Sequence, residues 1–276
     1  GYEDHALEML FFWTPDRKLT GIGINVACPA QALGRERFVS ADFWHDARVE
    51  LRRRYGDDLF VFPMIGAAGD QSPHVQLRKA AEAKMRERLG ISVTGQIARR
   101  IAQAVEEVYP AAAADIRTGA HFAHRVEQLR LPVRRVTPAE MEAAEAEYAR
   151  AEKAPADDDK RHVTMQWMLT VMERYRRQDS AAEFPMELHV IRLGDVALAT
   201  NPFELFLDFG LRMKARSRAE LTFVIQLACG EGDYLPTAKA VAAGGYGAEI
   251  ASNLVGPEGG QVLVNRTEAL INSLFE

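Results

Sequence analysis

The chain has 276 residues, of which 47% are hydrophobic, 26% charged and 8% aromatic. That is the make-up of an ordinary globular protein, long enough to bury about three quarters of the surface its unfolded form exposes. A balance of 34 Lys and Arg against 39 Asp and Glu leaves a net charge of -5, which excludes nucleic-acid binding through bulk positive charge. Two cysteines, Cys28 and Cys229, make no disulfide framework, and no apolar run reaches the roughly 18 residues that a membrane span needs.

The chain opens at Gly1-Tyr2-Glu3 without a Met and reads as mid-protein text. The expectation is a missing N-terminal portion that would carry any targeting segment with it, so localisation is left open. Leu7–Trp13 and residues 21–27 are apolar, β-favouring runs on either side of Thr14-Pro15-Asp16-Arg17, a turn sequence; together they predict a hairpin. Phe43–Tyr55 has helical spacing and ends at Gly56-Asp57. Residues 59–65 are wholly apolar, as a buried strand is. They stop at the loop Gly66-Ala67-Ala68-Gly69-Asp70-Gln71-Ser72-Pro73-His74, after which 77–89 and 96–109 read as helices broken at Gly90.

Residues 122–136 suit a strand. Thr137-Pro138-Ala139-Glu140 is a helix start with Thr as N-cap, Pro at the first helical position and Glu three residues after the cap. The helix from 137 to 152, the linker Ala154-Pro155-Ala156-Asp157-Asp158-Asp159 and a helix over 162–177 predict an α-helical hairpin insertion at 137–177, projecting from the body or lying on it. Met165, Trp167, Met168 and Met172 give its second helix an apolar face, for assembly or for packing on the parent domain. Residues 186–193 and Val196–Thr200 flank Gly194-Asp195, a tight-turn pair. Residues 203–215 read as helix and 221–228 as strand. The sum is one α/β domain over 1–276, a mixed sheet with flanking helices.

Three segments could carry chemistry. The 66–74 loop follows a buried strand, where open sheets place their sites. Its Asp70, Ser72 and His74 put an acid, a hydroxyl and an imidazole within five positions, although Asp70 or Ser72 could equally cap the next helix. Asn201-Pro202-Phe203-Glu204 delivers a carboxylate to the start of a helix, as dipole partner, metal ligand or general base. Gly230-Glu231-Gly232-Asp233-Tyr234-Leu235-Pro236-Thr237 and Gly244-Gly245-Tyr246-Gly247 each set a tyrosine in a loop, as oxyanion donor, metal ligand or packing group. His121 and His124 fall on opposite faces of a strand, His162 is solvated, and His5 and His45 could line a pocket. No HExxH or HxH motif gives a self-contained zinc site.

The order Gly-Asp-x-Ser-Pro, Pro-x-Glu, then Tyr-x-Pro-Thr with a second Tyr twelve residues on resembles the neutral/alkaline (non-lysosomal) ceramidase family, and bacterial single-domain relatives above all. The resemblance spans most of the chain apart from the helical hairpin. It implies that Ser72 is the catalytic serine, that Glu204 and Tyr234 are zinc ligands and that Tyr246 stabilises the oxyanion. The implied reaction is zinc-assisted hydrolysis of an amide or ester, with a small-molecule or lipid-like amide as substrate, no nucleic acid as partner and room for a homo-oligomer. A non-catalytic or metal-free relative that keeps a ligand-binding pocket is the alternative. Two departures stand out. The family's His-x-His-Ser-Gly-Pro segment has no counterpart, and its second zinc histidine falls where this chain has Ala27-Cys28-Pro29. Cys28 is either a thiolate substitute or a small buried residue. The resemblance also implies a C-terminal immunoglobulin-like domain, which the 276 residues are not expected to contain.

Overall fold

A computed structural model describes residues 3–34, 36–155, 158, 160–180 and 182–276; of the predicted linker, Ala156, Asp157 and Asp159 lie outside the described residues. In chain order the elements are β1 (Leu7–Trp13), β2 (Leu19–Val26), α1 (Phe43–Tyr55), β3 (Phe60–Ile65), α2 (Lys79–Leu89), α3 (Val93–Ala114), β4 (Phe122–Pro132), α4 (Pro138–Glu152) and α5 (Arg161–Arg177). There follow β5 (Glu183–Leu193), β6 (Val196–Thr200), β7 (Glu204–Leu205), α6 (Leu207–Arg216), β8 (Leu221–Ile225), β9 (Tyr234–Leu235), α7 (Ala238–Ala243) and α8 (Pro257–Ser273). The class is mixed α/β, as the alternation of patterns predicts. No helix among the described residues is long and apolar enough to cross a membrane.

The strands form two main sheets, ordered β1-β2-β3 and β4-β5-β6-β8, each combining antiparallel with parallel pairing. In the first sheet Ile22 and Ile24 of β2 point to one face, where they meet Phe43, Ala47 and Leu51 of α1 and Ala98, Ile101 and Val105 of α3. The alternate residues, Gly21 and Gly23, lie on the other face by the two-residue period of a strand. In the second sheet Leu188, Val190, Ala197, Ala199 and Val224 turn toward Phe209 and Met213 of α6 and Leu263, Val264 and Ile271 of α8. Where the first sheet meets α6, Lys214 Nζ lies 2.6 Å from Asp4 and also bonds Glu8, which is only 3% exposed.

No further strand of its own sheet pairs with the outer edge of β8 among the described residues. Instead, Asn25 Nδ2 donates to Val224 O at 2.8 Å, and Gln226 N donates to Ile65 O at 3.0 Å. These two bonds join the sheets.

The predicted capping box is present, with Glu140 N bonded to Thr137 Oγ1 at 3.2 Å and Thr137 N to Glu140 Oε2 at 2.9 Å. Leu193 pairs with Val196 around the Gly194-Asp195 turn, where Gly194 takes φ 59°. The helical pair α4–α5 lies on the body rather than standing away from it: Met141, Ala144, Met168, Val171 and Met172 share a small core with Ile250 and Ala251. The predicted apolar face of α5 is therefore divided, with Met168 and Met172 inward and Trp167 exposed.

Two local expectations are corrected. Neither Asp70 nor Ser72 caps the helix that follows them, because α2 begins only at Lys79 behind Arg78. And Glu204 is not in a first helical turn but in β7, pulled into extended form by Glu204 N bonding Asp233 O at 2.9 Å and Phe206 N bonding Leu235 O at 3.2 Å. The Pro-led run has the chemistry of a helix start, but tertiary pairing with β9 delays the helix to Leu207.

Candidate active site

The site assembles where three chain segments cross. β7 and β9 pair in parallel, with Glu204 opposite Tyr234 and Leu205 opposite Leu235. The loop after β3 runs against β7: Gly69 N donates to Leu205 O at 2.8 Å. Approach is so close there that a Cβ on Gly69 would stand 2.6 Å from the Glu204 carbonyl carbon. Asp70 then reaches forward, its Oδ1 accepting from Leu207 N at 2.8 Å. It thus caps α6, whose own N-cap Phe206 has no side-chain oxygen to offer, and places a carboxylate at the positive end of that helix.

A buried amide holds this crossing together. Gln226, 4% exposed at the end of β8, accepts with Oε1 from both Ala68 N and Leu205 N at 3.0 Å. One side-chain oxygen thereby satisfies two backbone donors that belong to different segments and could not pair with each other. Asn201 does similar work one turn away, receiving Phe203 N on Oδ1 at 3.1 Å. Neither residue stood out in the sequence. The only signal was a polar amide closing an otherwise apolar strand, a pattern that buried strands of soluble proteins share.

Of the four predicted site residues, three touch in a chain. The Tyr234 hydroxyl hydrogen-bonds the Glu204 carboxylate, and the Tyr234 ring meets Tyr246 edge to face, with centroids 5.6 Å apart and planes at 75°. Burial, then the bond to Glu204, push the Tyr234 hydroxyl well above the usual tyrosine range, so it holds its proton at neutral pH. Phe206 closes the far side of Tyr234 at 6.4 Å. Gly247 packs closely beside this pair, since a Cβ there would stand 3.0 Å from Tyr234 Cδ1 and 3.1 Å from Phe206 Cε1. The Tyr246 ring is 62% exposed, open to an incoming molecule on its outer side.

Ser72 lies two residues beyond Asp70 on the same loop. Its side chain is exposed, and Oγ accepts from His74 N at 3.2 Å, leaving the hydroxyl proton free to point outward. The turn leading to β9 carries Leu227, Cys229 and Asp233 at positive φ of 55°, 62° and 53°. Three non-glycine residues in the left-handed region within one connection is an arrangement that costs about 1 kcal/mol or more each and survives where surrounding contacts dictate it.

Cys28 sits at the end of β2, half-buried, in a different part of the same rim. With Val26, Phe43, Ile97, Ile101 and Pro73 it lines a mainly apolar cleft of about 360 Å³. Burial, with the Asp42 charge adding, pushes its thiol up to about 11. His5 lines this cleft too, whereas His45 does not. His124, read as facing away from His121, has a partner across the strand pair: its Nε2 is 3.1 Å from His189 Nδ1, with the rings stacked. Among the described residues no group of three or more His, Cys, Asp and Glu side chains is arranged to hold a metal ion. Glu204 and Tyr234 offer two oxygen donors that are already bonded to each other, and two donors do not fit a tetrahedral zinc ion by themselves.

No protein-family model matches this chain, and no curated protein matches it in sequence. Solved structures do. The chain is similar to the neutral ceramidase from Pseudomonas aeruginosa, with a TM-score of 0.64 and 15% identity over 98% of this chain and 47% of that one. It is likewise similar to a ceramidase complexed with C2, with a TM-score of 0.65 and 14% identity over 98% of this chain and 48% of that one. The chain thus has the neutral ceramidase fold along nearly its whole length and spans about half the length of the ceramidases it matches.

Proposed function

We propose that this chain is a ceramidase-like hydrolase domain that cleaves an amide or ester bond, with Ser72 and Tyr246 as the catalytic groups. The observation that carries the reading is the contact chain Glu204–Tyr234–Tyr246, laid against the loop that bears Ser72. Addition to a carbonyl moves negative charge onto its oxygen, and a protonated phenol on a fixed ring is a suitable donor to that oxygen. Tyr246 is the exposed phenol of the pair and takes that role. Tyr234, bonded to Glu204, is the inner one and holds the geometry. Ser72 presents the hydroxyl at the reacting carbonyl. Glu204 and Tyr234 would be this chain's contribution to a zinc ion, which supplies carbonyl polarisation when bound. Since two donors do not complete the site, no step of the reading passes through the metal. The substrate is a small or lipid-like amide, its apolar part suited to the cleft that runs past Pro73, and a homo-oligomer is the proposed assembly.

The test is hydrolysis of a fluorogenic short-chain N-acyl amide and its matched ester by the purified chain, with and without added zinc. Ser72→Ala and Tyr246→Phe are each expected to lower kcat by about 100-fold or more. Hydrolysis that survives both substitutions unchanged refutes the assignment.

A second reading, a metal-free relative that binds without cleaving, is favoured by the donor set, since no group of three or more His, Cys, Asp and Glu side chains converges among the described residues. Stoichiometric zinc in elemental analysis of the purified chain would reject it.

A further inference from the structure

Asn253 belongs to no helix or main strand and is 1% exposed, yet both tyrosine-bearing segments of the site are tied to it. Its backbone bridges Asp233, the neighbour of Tyr234. Its Nδ2 donates to Gly247 O at 3.3 Å and to Glu249 O at 2.6 Å, on the turn that presents Tyr246. Its Oδ1 accepts from Arg134 Nη1 at 2.9 Å, and its backbone oxygen accepts from Arg174 Nη1 at 2.8 Å. The two guanidinium groups continue onto the same turn, Arg134 Nη1 to Ala248 O at 2.8 Å and Arg174 Nη2 to Ile250 O at 2.9 Å. The carbonyls of residues 247 to 250 are therefore all engaged from one side.

The arrangement is costly and specific. A short 3₁₀ turn cannot satisfy consecutive carbonyls internally. Here they are satisfied by bringing two like charges together under the turn, with Glu140 paired to Arg134 at 2.8 Å. Burial, then the neighbouring Arg134, lower the Arg174 pKa to about 10, and its Nε is buried without a partner. On the entering side Gly245 O accepts from Ala248 N at 2.8 Å and from Glu249 N at 3.0 Å, while the Cβ positions of Gly244 and Gly245 face open space. Side-chain support for the turn comes from the hub beneath it.

We propose that Asn253, together with Arg134 and Arg174, positions Tyr246: the hub holds its turn by four carbonyls and sets the phenol at its edge-to-face contact with Tyr234. The same bonds make α5 part of the site's frame, since Arg174 reaches the turn from that helix. The proposal deepens the hydrolase reading and rests on it for the role of Tyr246, but the placement is testable without activity.

The experiment uses the full chain labelled with 3-fluorotyrosine, with the fluorine resonance of Tyr246 assigned through Tyr246→Phe. In Asn253→Ala the Tyr246 signal is expected to move toward that of free tyrosine and to narrow, while Tyr55 and Tyr109, in the core under the first sheet, keep theirs. Arg174→Ala should give a shift of the same sense and Arg174→Lys a smaller one, because an ammonium reaches one carbonyl where the fork reaches two. These variants carry the test if Asn253→Ala does not fold. Where the parent chain hydrolyses a substrate, kcat should fall about 10- to 100-fold with KM changed less than about two-fold. Combining Tyr246→Phe with Asn253→Ala should then lower kcat no further than Tyr246→Phe does alone. A Tyr246 resonance that stays in place in both Asn253→Ala and Arg174→Ala overturns the proposal. A resonance that moves in a chain with no hydrolysis supports the positioning and refutes the hydrolase reading instead.

Discussion

The substitution Gly69→Ala probes the crossing of the site loop with β7 most directly. The added methyl group would stand 2.6 Å from the Glu204 carbonyl carbon and 3.1 Å from that of Leu205. These are backbone atoms, locked by pairing with β9, and cannot swing aside as a side-chain tip would. The strands must part by roughly 1 Å, which lengthens the 2.8 Å bond from Gly69 N to Leu205 O and strains the two bonds on Gln226 Oε1. Overpacking of this kind costs about 1–3 kcal/mol, and one weakened buried hydrogen bond adds about 1 kcal/mol, so a loss of about 2–4 kcal/mol is expected. With an unfolding entropy of about 2.1 cal/mol/K per residue, this chain loses about 1.7 °C for each kcal/mol, or roughly 3–7 °C in Tm. Calorimetry reads this directly. Gly21→Ala is the control: its nearest neighbours would lie 3.5 and 3.6 Å away, ordinary contact, and its Tm should stay within about 1 °C. Equal Tm values for Gly69→Ala and Gly21→Ala would refute the claimed close approach.

Two further outcomes follow from other parts of the molecule. Thr137→Ala removes the oxygen that accepts from Glu140 N, and should cost about 1 kcal/mol, seen as an about five-fold faster amide exchange in the first turn of α4 with that of α1 unchanged. Glu8 is held above the usual carboxylate value because burial outweighs its bond to Lys214. A raised folded pKa means stability that is fully present below the unfolded value of about 4.3 and lost as pH rises through the folded one. Glu8→Gln should therefore flatten the decline in stability from about pH 4 to pH 7, measured by urea titration at each pH. A wild-type curve no steeper than that of the variant would sink the assignment.

Much of the fold could be read before any coordinates. Leu7–Trp13, the turn after it, the Thr137 capping box and the Gly194-Asp195 hairpin were legible because each depends on neighbours within four or five residues. Glu204 was misplaced because what governs it is Asp233, a backbone partner far along the chain, and helix-start chemistry at Pro202 gives no hint of that. Asp70 was correctly seen as a capping residue but assigned to the wrong helix, since the sequence shows the oxygen and not the distant N–H that it serves. Of the candidate site the sequence offers residue types, a hydroxyl, a carboxylate and two phenols, and the fold brings the carboxylate and the two phenols together. The framework was not legible: Gln226, Asn253, Arg134 and Arg174 have no spacing signature, because they act on backbone groups brought to them by the fold.

The manner in which β8 ends the second sheet has a consequence for the molecule in a crowded solution. A bare strand margin invites another polypeptide to add itself in register, which is how many β-rich proteins aggregate. At Val224 and Gln226 that invitation is withdrawn, because the Asn25 side-chain amide and the carbonyl of Ile65, the last residue of β3, already occupy the positions a foreign strand would need. The bonds that hold the two sheets together also act as a guard against unwanted polymerisation.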